Sequence, residues 1–331
     1  MEALQALLQT PLLGKAAWIW FVFIGVVVTL LALDLGVLHK DEREIEVKES
    51  LLLSAGYISV AVAFGAWVWW IMGAQAGTEY FTGFMIEKSL SMDNVFVIAL
   101  IFSYFAIPRQ YQHRVLFWGI LGVIVLRAIM IGLGAALIHQ FSWILYVFGA
   151  FLVATGIKMW LVADHMPDIA SNPVLKFLRK RLKVTDGLHG NAFFVTRPDP
   201  VTGKTVRWAT PLFLALCMVE IVDLVFAVDS VPAIFAITSD PFIVYTSNIF
   251  AILGLRALYF ALAAMIHRFA YLKYALALVL VFIGSKIFLV GFIGKTPPAI
   301  SLGVTFGLIA GGVAVSLWKT RHQTPGTLAS R

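Results

Sequence analysis

Thiols are almost missing: Cys217 is the one cysteine in 331 residues. No internal disulfide and no Cys-x-x-Cys pair can form, so thiol redox chemistry would require a second protein. Charge is also scarce, with 13% charged against 60% hydrophobic residues and a mean hydropathy of +0.90. That balance excludes a soluble globular domain and assigns the chain to the polytopic membrane proteins. The cations sit in several loops without clustered stacking aromatics, which argues against a nucleic-acid partner. All seven histidines fall at span ends or in loops, so imidazole is not available to an intramembrane site. No β-barrel alternation is present.

What is present is a series of apolar runs. Nine can be read as spans, at 16–38, 51–73, 80–105, 114–138, 141–163, 208–237, 243–265, 271–293 and 298–318, each near the ~20 residues that cross a bilayer as a helix. The first lacks a small-residue cleavage site and reads as a retained helix. Lys and Arg divide 18 to 2 between the two sides, with only Lys15 and Lys295 on the poorer one. The positive-inside rule then places the amino terminus outside and the carboxyl terminus in the cytoplasm.

The spans carry an internal repeat. Glu87-x5-Asp93-Asn94-Val95 matches Asp223-x5-Asp229-Ser230-Val231, Leu126-Arg127-Ala128 matches Leu255-Arg256-Ala257, and Gly156-x-Lys158 matches Gly284-x-Lys286, in the same order. Spans three to five therefore correspond to spans six to eight. Because three is odd, the copies are threaded in opposite directions, the inverted topology of many transporters, whose sites lie near the midplane. The expected organisation is an all-α polytopic fold: 1–79 with two helices, 80–163 as repeat A, 164–207 as a cytoplasmic loop, 208–293 as repeat B, and 294–331 as a ninth helix and tail. In the loop, Pro173 to Lys183 suggests a basic amphipathic helix at headgroup level, and 192–197 with 204–208 suggests a hairpin.

Five acids lie deep within spans (Glu87, Asp93, Glu220, Asp223, Asp229), facing five bases (Lys88, Arg127, Lys158, Arg256, Lys286). Ionisable groups at that depth are costly and mark pathways or meet counter-charges. The bland alternative is a set of buried ion pairs that merely holds the bundle. Acids six residues apart stand about 120° apart around an ideal helix and about 9 Å along it, so a straight helix does not aim both inward. Pro232 is the expected interruption of the sixth span. Carboxylates, carbonyls, Asn94 and Ser230 form an oxygen-rich set that suits Mg, Ca or Mn better than Zn or Cu. The bases would then neutralise the empty site or gate it. A proton relay on the same acids is the runner-up chemistry. Asp34, at the inner end of the first span, is expected to be interfacial.

The runs Glu87-Lys88-Ser89-Leu90-Ser91-Met92-Asp93-Asn94-Val95-Phe96-Val97 and Phe226-Ala227-Val228-Asp229-Ser230-Val231-Pro232-Ala233-Ile234-Phe235-Ala236 closely resemble the TerC family, in particular its Alx branch. Thr246-Ser247-Asn248-x-Phe250 through Arg256 adds to the likeness. The resemblance implies a bacterial inner-membrane protein of metal homeostasis. Manganese efflux is its foremost role, beside associations with tellurite resistance, alkaline pH and redox modulation. It also implies that Glu87, Asp93, Glu220, Asp223 and Asp229 are the family's acidic positions. The expectation is a non-enzymatic exporter with manganese as substrate, no permanent cofactor, and lipid, protons and other membrane proteins or further copies of itself as partners. The competing expectation is a non-transporting scaffold or redox modulator.

Overall fold

In lipid, backbone amides find partners only within a helix or a closed barrel, and long apolar runs take the first course. The computed structural model describes residues 9–34, 47–141, 143–161, 169–198, 203–265, 271–293 and 297–320. The helices are α1 (Ala17–Leu33), α2 (Val47–Met72), α3 (Ala74–Tyr104), α4 (Arg109–Gln140), α5 (Ile144–Leu161), α6 (Pro173–Arg181), α7 (Pro211–Phe235), α8 (Pro241–Leu253), α9 (Leu255–Met265), α10 (Leu272–Ile293) and α11 (Pro298–Thr320). Proline opens α6, α7, α8 and α11, where its missing N–H costs nothing.

Among the described residues six helices, α2, α4, α5, α7, α10 and α11, are long and apolar enough to cross a membrane, and α8 with α9 makes a seventh if the bent pair is one span. Nine apolar runs can be read along the chain, and α1 and α3 are the difference. α1 has 17 residues, while α3, with 31 residues, has its apolar run broken by Glu79, Glu87, Lys88 and Asp93.

The bend belongs to a different span from the one expected. α7 runs through Pro232 to Phe235, so that proline lies in the last turn and interrupts nothing upstream. The break falls at Gly254, where α8 and α9 meet at 42°.

α3 is central and packs on α2, α7, α8 and α11. Around its first half, Phe23 of α1, Phe64 of α2 and Phe250 of α8 interlock, with ring centroids 4.6 Å apart for Phe64–Phe250 and 5.8 Å for Phe23–Phe250. α2 also clasps α9, Ser50 Oγ donating to the Ala257 carbonyl. α5 and α10 cross so closely that their backbones touch: a Cβ on Gly284 would stand 2.6 Å from the Gly149 carbonyl oxygen, and one on Gly156 2.7 Å from that of Ala277. Gly156→Leu is expected to force this pair apart at a cost of about 1–3 kcal/mol, the usual scale for overpacking. A lower thermal midpoint of the detergent-solubilised protein would register it; an unchanged midpoint would contradict the contact.

The 169–209 segment forms the expected helix and hairpin. Asn172 caps α6 by accepting from the Val174 amide at 2.9 Å. Strands β1 (Phe194–Pro198) and β2 (Thr205–Ala209) pair antiparallel with Phe194 opposite Ala209. The apolar face of α6 does not lie on lipid, however. Leu175, Leu178 and Leu182 pack into the cluster of Phe102, Val115, Leu212 and Tyr259, because protein apolar surface was within reach and removes the same area from water. The turn at Asp199 and Pro200 lies outside the described residues.

Candidate functional site

The centre of the molecule is built around Arg127. Its side chain is 1% exposed, as is that of Glu87. From α4, Arg127 Nη1 reaches Glu87 Oε1 on α3 at 2.9 Å, Ser230 Oγ on α7 at 2.8 Å and Asn248 Oδ1 on α8 at 2.7 Å. Its Nε and Nη2 face Asp223 on α7, each at 3.4 Å. Asn248 Nδ2 donates to Glu87 Oε2 at 3.3 Å, and Asn94 Nδ2 to Asp223 Oδ1 at 3.5 Å. Four helices thus deliver two carboxylates, two amides, a hydroxyl and one guanidinium to one point. Charged groups at this depth are retained only when paired and hydrogen-bonded, and here each is.

Counted formally, Glu87, Asp223 and Arg127 leave one negative charge. Beside them is a cavity of about 40 Å³ whose walls include Glu87, Asn94, Arg127, Asp229 and Ser230. That volume exceeds the ~10–15 Å³ one water needs. On its far side Asp229 accepts from Thr155 Oγ1 of α5 at 3.1 Å, with Lys158 near enough to act on it electrostatically. The six-residue spacing therefore does what a straight helix requires: Asp223 turns to Arg127, and Asp229 to α5.

The remaining expected residues are placed apart. Glu220 is half-buried one turn before Asp223, and its Oε2 is enclosed with no hydrogen-bond partner. It presses on α4 at Gly122, where a Cβ would collide with the carboxylate. The Asp93 side chain lies outside the described residues. Lys88 is buried and donates to the Ala251 carbonyl at 3.2 Å, at the end of α8. Lys286 donates to Ser301 Oγ of α11 at 2.8 Å. Arg256 pairs with Asp34, and neither touches the Arg127 cluster. Asp34 is 6% exposed and is covered by protein, with Arg256 as its ion-pair partner. Among the described residues, no three carboxylate, imidazole or thiol groups converge as a ready metal cage. The point between Glu87 and Asp223 is occupied by the guanidinium.

Sequence reading did not single out Asn248 or Thr155 as site residues. The signal for Asn248 was the polar triplet Thr246-Ser247-Asn248 inside an apolar run, all three fully buried. Thr155 gave none, since threonine in a span usually bonds its own backbone.

The model of the integral membrane protein TerC family matches residues 72–324. An uncharacterized membrane protein of Rickettsia bellii is 50% identical over 90% of this chain and 96% of its own length. One from Myxococcus xanthus is 47% identical over 92% and 93%. A Salmonella typhi protein bearing the name membrane-bound redox modulator Alx is 46% identical over 95% and 96%. No solved structure matches.

Proposed function

This chain belongs to the TerC family of integral membrane proteins, and from that premise we propose that it exports a divalent cation, manganese first, across the bacterial inner membrane, with no enzymatic step. The observation that carries the reading is the pair Glu87 and Asp223, brought from α3 and α7 onto one guanidinium, beside a cavity into whose mostly apolar wall Glu87, Arg127, Asp229 and Ser230 reach. Two buried carboxylates need two positive charges or their equivalent. A dication supplies that charge and accepts the same oxygen donors. Arg127 then acts as the partial stand-in that pairs with the acids while no cargo is bound, and it has Ser230 and Asn248 to hold it when a cation takes its place. Asp229 on the opposite wall provides a second carboxylate along the route. Asp93, Glu220, Asn94 and Ser230 complete the ligand set proposed for the pathway. Lys88, Lys158, Arg256 and Lys286 serve as counter-charges. Protonation of the acids as the cation leaves would couple export to proton entry.

The nine-span, inverted-repeat reading, with the amino terminus outside, is part of this proposal. Two sets of contacts support it. Exchanging Gly156 with Gly284 and Gly149 with Ala277 converts the Gly149–Gly284 contact into the Gly156–Ala277 contact. Exchanging Glu87 with Asp223 and Asn94 with Ser230 relates the two sides of the Arg127 cluster, where the guanidinium meets both carboxylates, Ser230 bonds the guanidinium and Asn94 bonds Asp223. Reciprocal contacts of this kind are what a two-fold relation between halves demands.

The test is cation uptake into inverted vesicles holding the full chain, comparing Mn, Mg and Ca. Accumulation of manganese above protein-free vesicles is expected, and none for any of the three would end the reading. The thiol gives a separate check on redox modulation. Cys217→Ala is expected to export at the wild-type rate in reducing and oxidising media alike, because Cys217 is the only thiol. A redox-dependent rate in the wild type that Cys217→Ala abolishes would favour the modulator.

A further inference from the structure

Arg256 has donors that nothing around it takes up. Its guanidinium is 4% exposed and pairs with Asp34. Its carbon stands 5.8 Å from the centroid of the Phe117 ring. Nε and Nη2 are enclosed without an acceptor. Buried guanidinium donors left unpaired are unfavourable, and each instance calls for an explanation. Arg127, at the matching position of the other repeat, shows the reverse: Nη1 alone is offered Glu87, Ser230 and Asn248.

The two arginines are connected mechanically. α8 carries Asn248, which bonds both Arg127 and Glu87, and α9, beyond the bend at Gly254, carries Arg256. α3 holds the α8 side of that bend, through Glu87 on Asn248 and through Lys88 on the Ala251 carbonyl. A Cβ on Gly254 would stand 2.7 Å from the Lys88 ammonium, so any larger residue at the bend would make the end of the lysine move.

On the transport reading, which this inference rests on, the two end states of an inverted-repeat carrier are related by exchanging the conformations of its halves. Glu87 and Asp223 need a counter-charge in both states when empty, since uncompensated carboxylates at that depth are strongly unfavourable. We infer that Arg256 is the alternate of Arg127: in the exchanged state it leaves Asp34 and pairs with Glu87 and Asp223, while Arg127 withdraws. Asp34, contributed by α1 from outside both repeats, is the site where Arg256 waits. Each guanidinium thus closes the empty acids in one state, and the cation displaces whichever is present.

Arg256 is a positioning residue in this scheme, and its test must separate the switch from a plain ion pair. The full chain is reconstituted in vesicles and assayed for manganese export, with thermal unfolding as the check on folding. The charge-reversed pair Asp34→Arg with Arg256→Asp, and the neutral pair Asp34→Asn with Arg256→Gln, both preserve a possible contact between the two positions. Both are expected to fold yet lose export about a hundredfold, the scale of leaving buried acids without their counter-charge. Wild-type export by a folded variant of either kind would make Arg256 a structural partner only and overturn the inference.

Asp34→Asn alone releases Arg256 to compete with cargo. It is expected to weaken manganese binding about tenfold, within the usual range of coupling between sites, as read from the manganese dependence of the thermal midpoint. A structural pair would lower the midpoint and leave affinity unchanged, and that result also overturns the inference. If the wild-type chain moves no cation, the transport reading fails first and this one with it.

Discussion

Arg127→Gln is expected to lower stability sharply and to make the loss recoverable by a dication. The substitution leaves Glu87, 1% exposed, and Asp223, 7% exposed, without their guanidinium. Removing one partner from a buried ion pair costs about 3–5 kcal/mol, because the remaining charge has no water to return to. In the wild type, a cation must displace Arg127 to reach the acids. In the variant that competitor is gone, so manganese should bind more tightly and restore stability by mass action, about 2.7 kcal/mol at a hundredfold excess over Kd. Thermal unfolding with and without manganese reads both effects. If the acids serve only to hold the bundle, the deficit will persist in saturating manganese and will be relieved by adding Glu87→Gln instead.

Glu87→Gln and Asp223→Asn should each abolish most export while keeping the fold. The amides match the carboxylates in shape and still offer an oxygen to Arg127, so the network of Asn248, Ser230 and Asn94 has partners to keep. What they remove is the negative charge on which a dication depends. Substitutions around metal sites that merely orient the ligands already cost about 10- to 100-fold in affinity, so loss of a ligand charge should exceed that.

The two positions should also differ. Asp223 is held by Arg127 at 3.4 Å and by Asn94 at 3.5 Å, whereas Glu87 is held more closely, by Arg127 at 2.9 Å and by Asn248 at 3.3 Å. The looser contact yields first to an entering cation, so Asp223→Asn should act mainly on KM and Glu87→Gln mainly on turnover. Initial rates of manganese uptake into inverted vesicles over a range of concentration separate the two. Wild-type kinetics in both variants would remove these acids from the pathway.

How much of this could be read from the chain depends on the range of the physics involved. Hydropathy is local, so the helices could be placed from runs of residues, and the amphipathic helix and hairpin of 173–209 from patterns of four to ten. The count differs at α1 and α3 for the same local reason, since α1 is short and α3 is charged. Pro232 misled because a proline's effect depends on where the helix ends: in the last turn of α7 it disrupts little. Gly254 carried the break without a local signal, because what permits it is Lys88 and Tyr57 arriving from other helices.

By itself, the sequence determined that the protein lies in the membrane, that most charges within its apolar runs recur in two series of the same order, and that it resembles the TerC family. These follow from composition and order, which no packing can change. Tertiary structure alone decided which acid meets which base: Arg127 takes Glu87 and Asp223, Arg256 takes Asp34, and Asp229 turns to Thr155. A pairing across helices depends on their relative rotation and depth, and a turn of 100° per residue lets one register shift replace every partner. Those quantities exist only once the helices have packed.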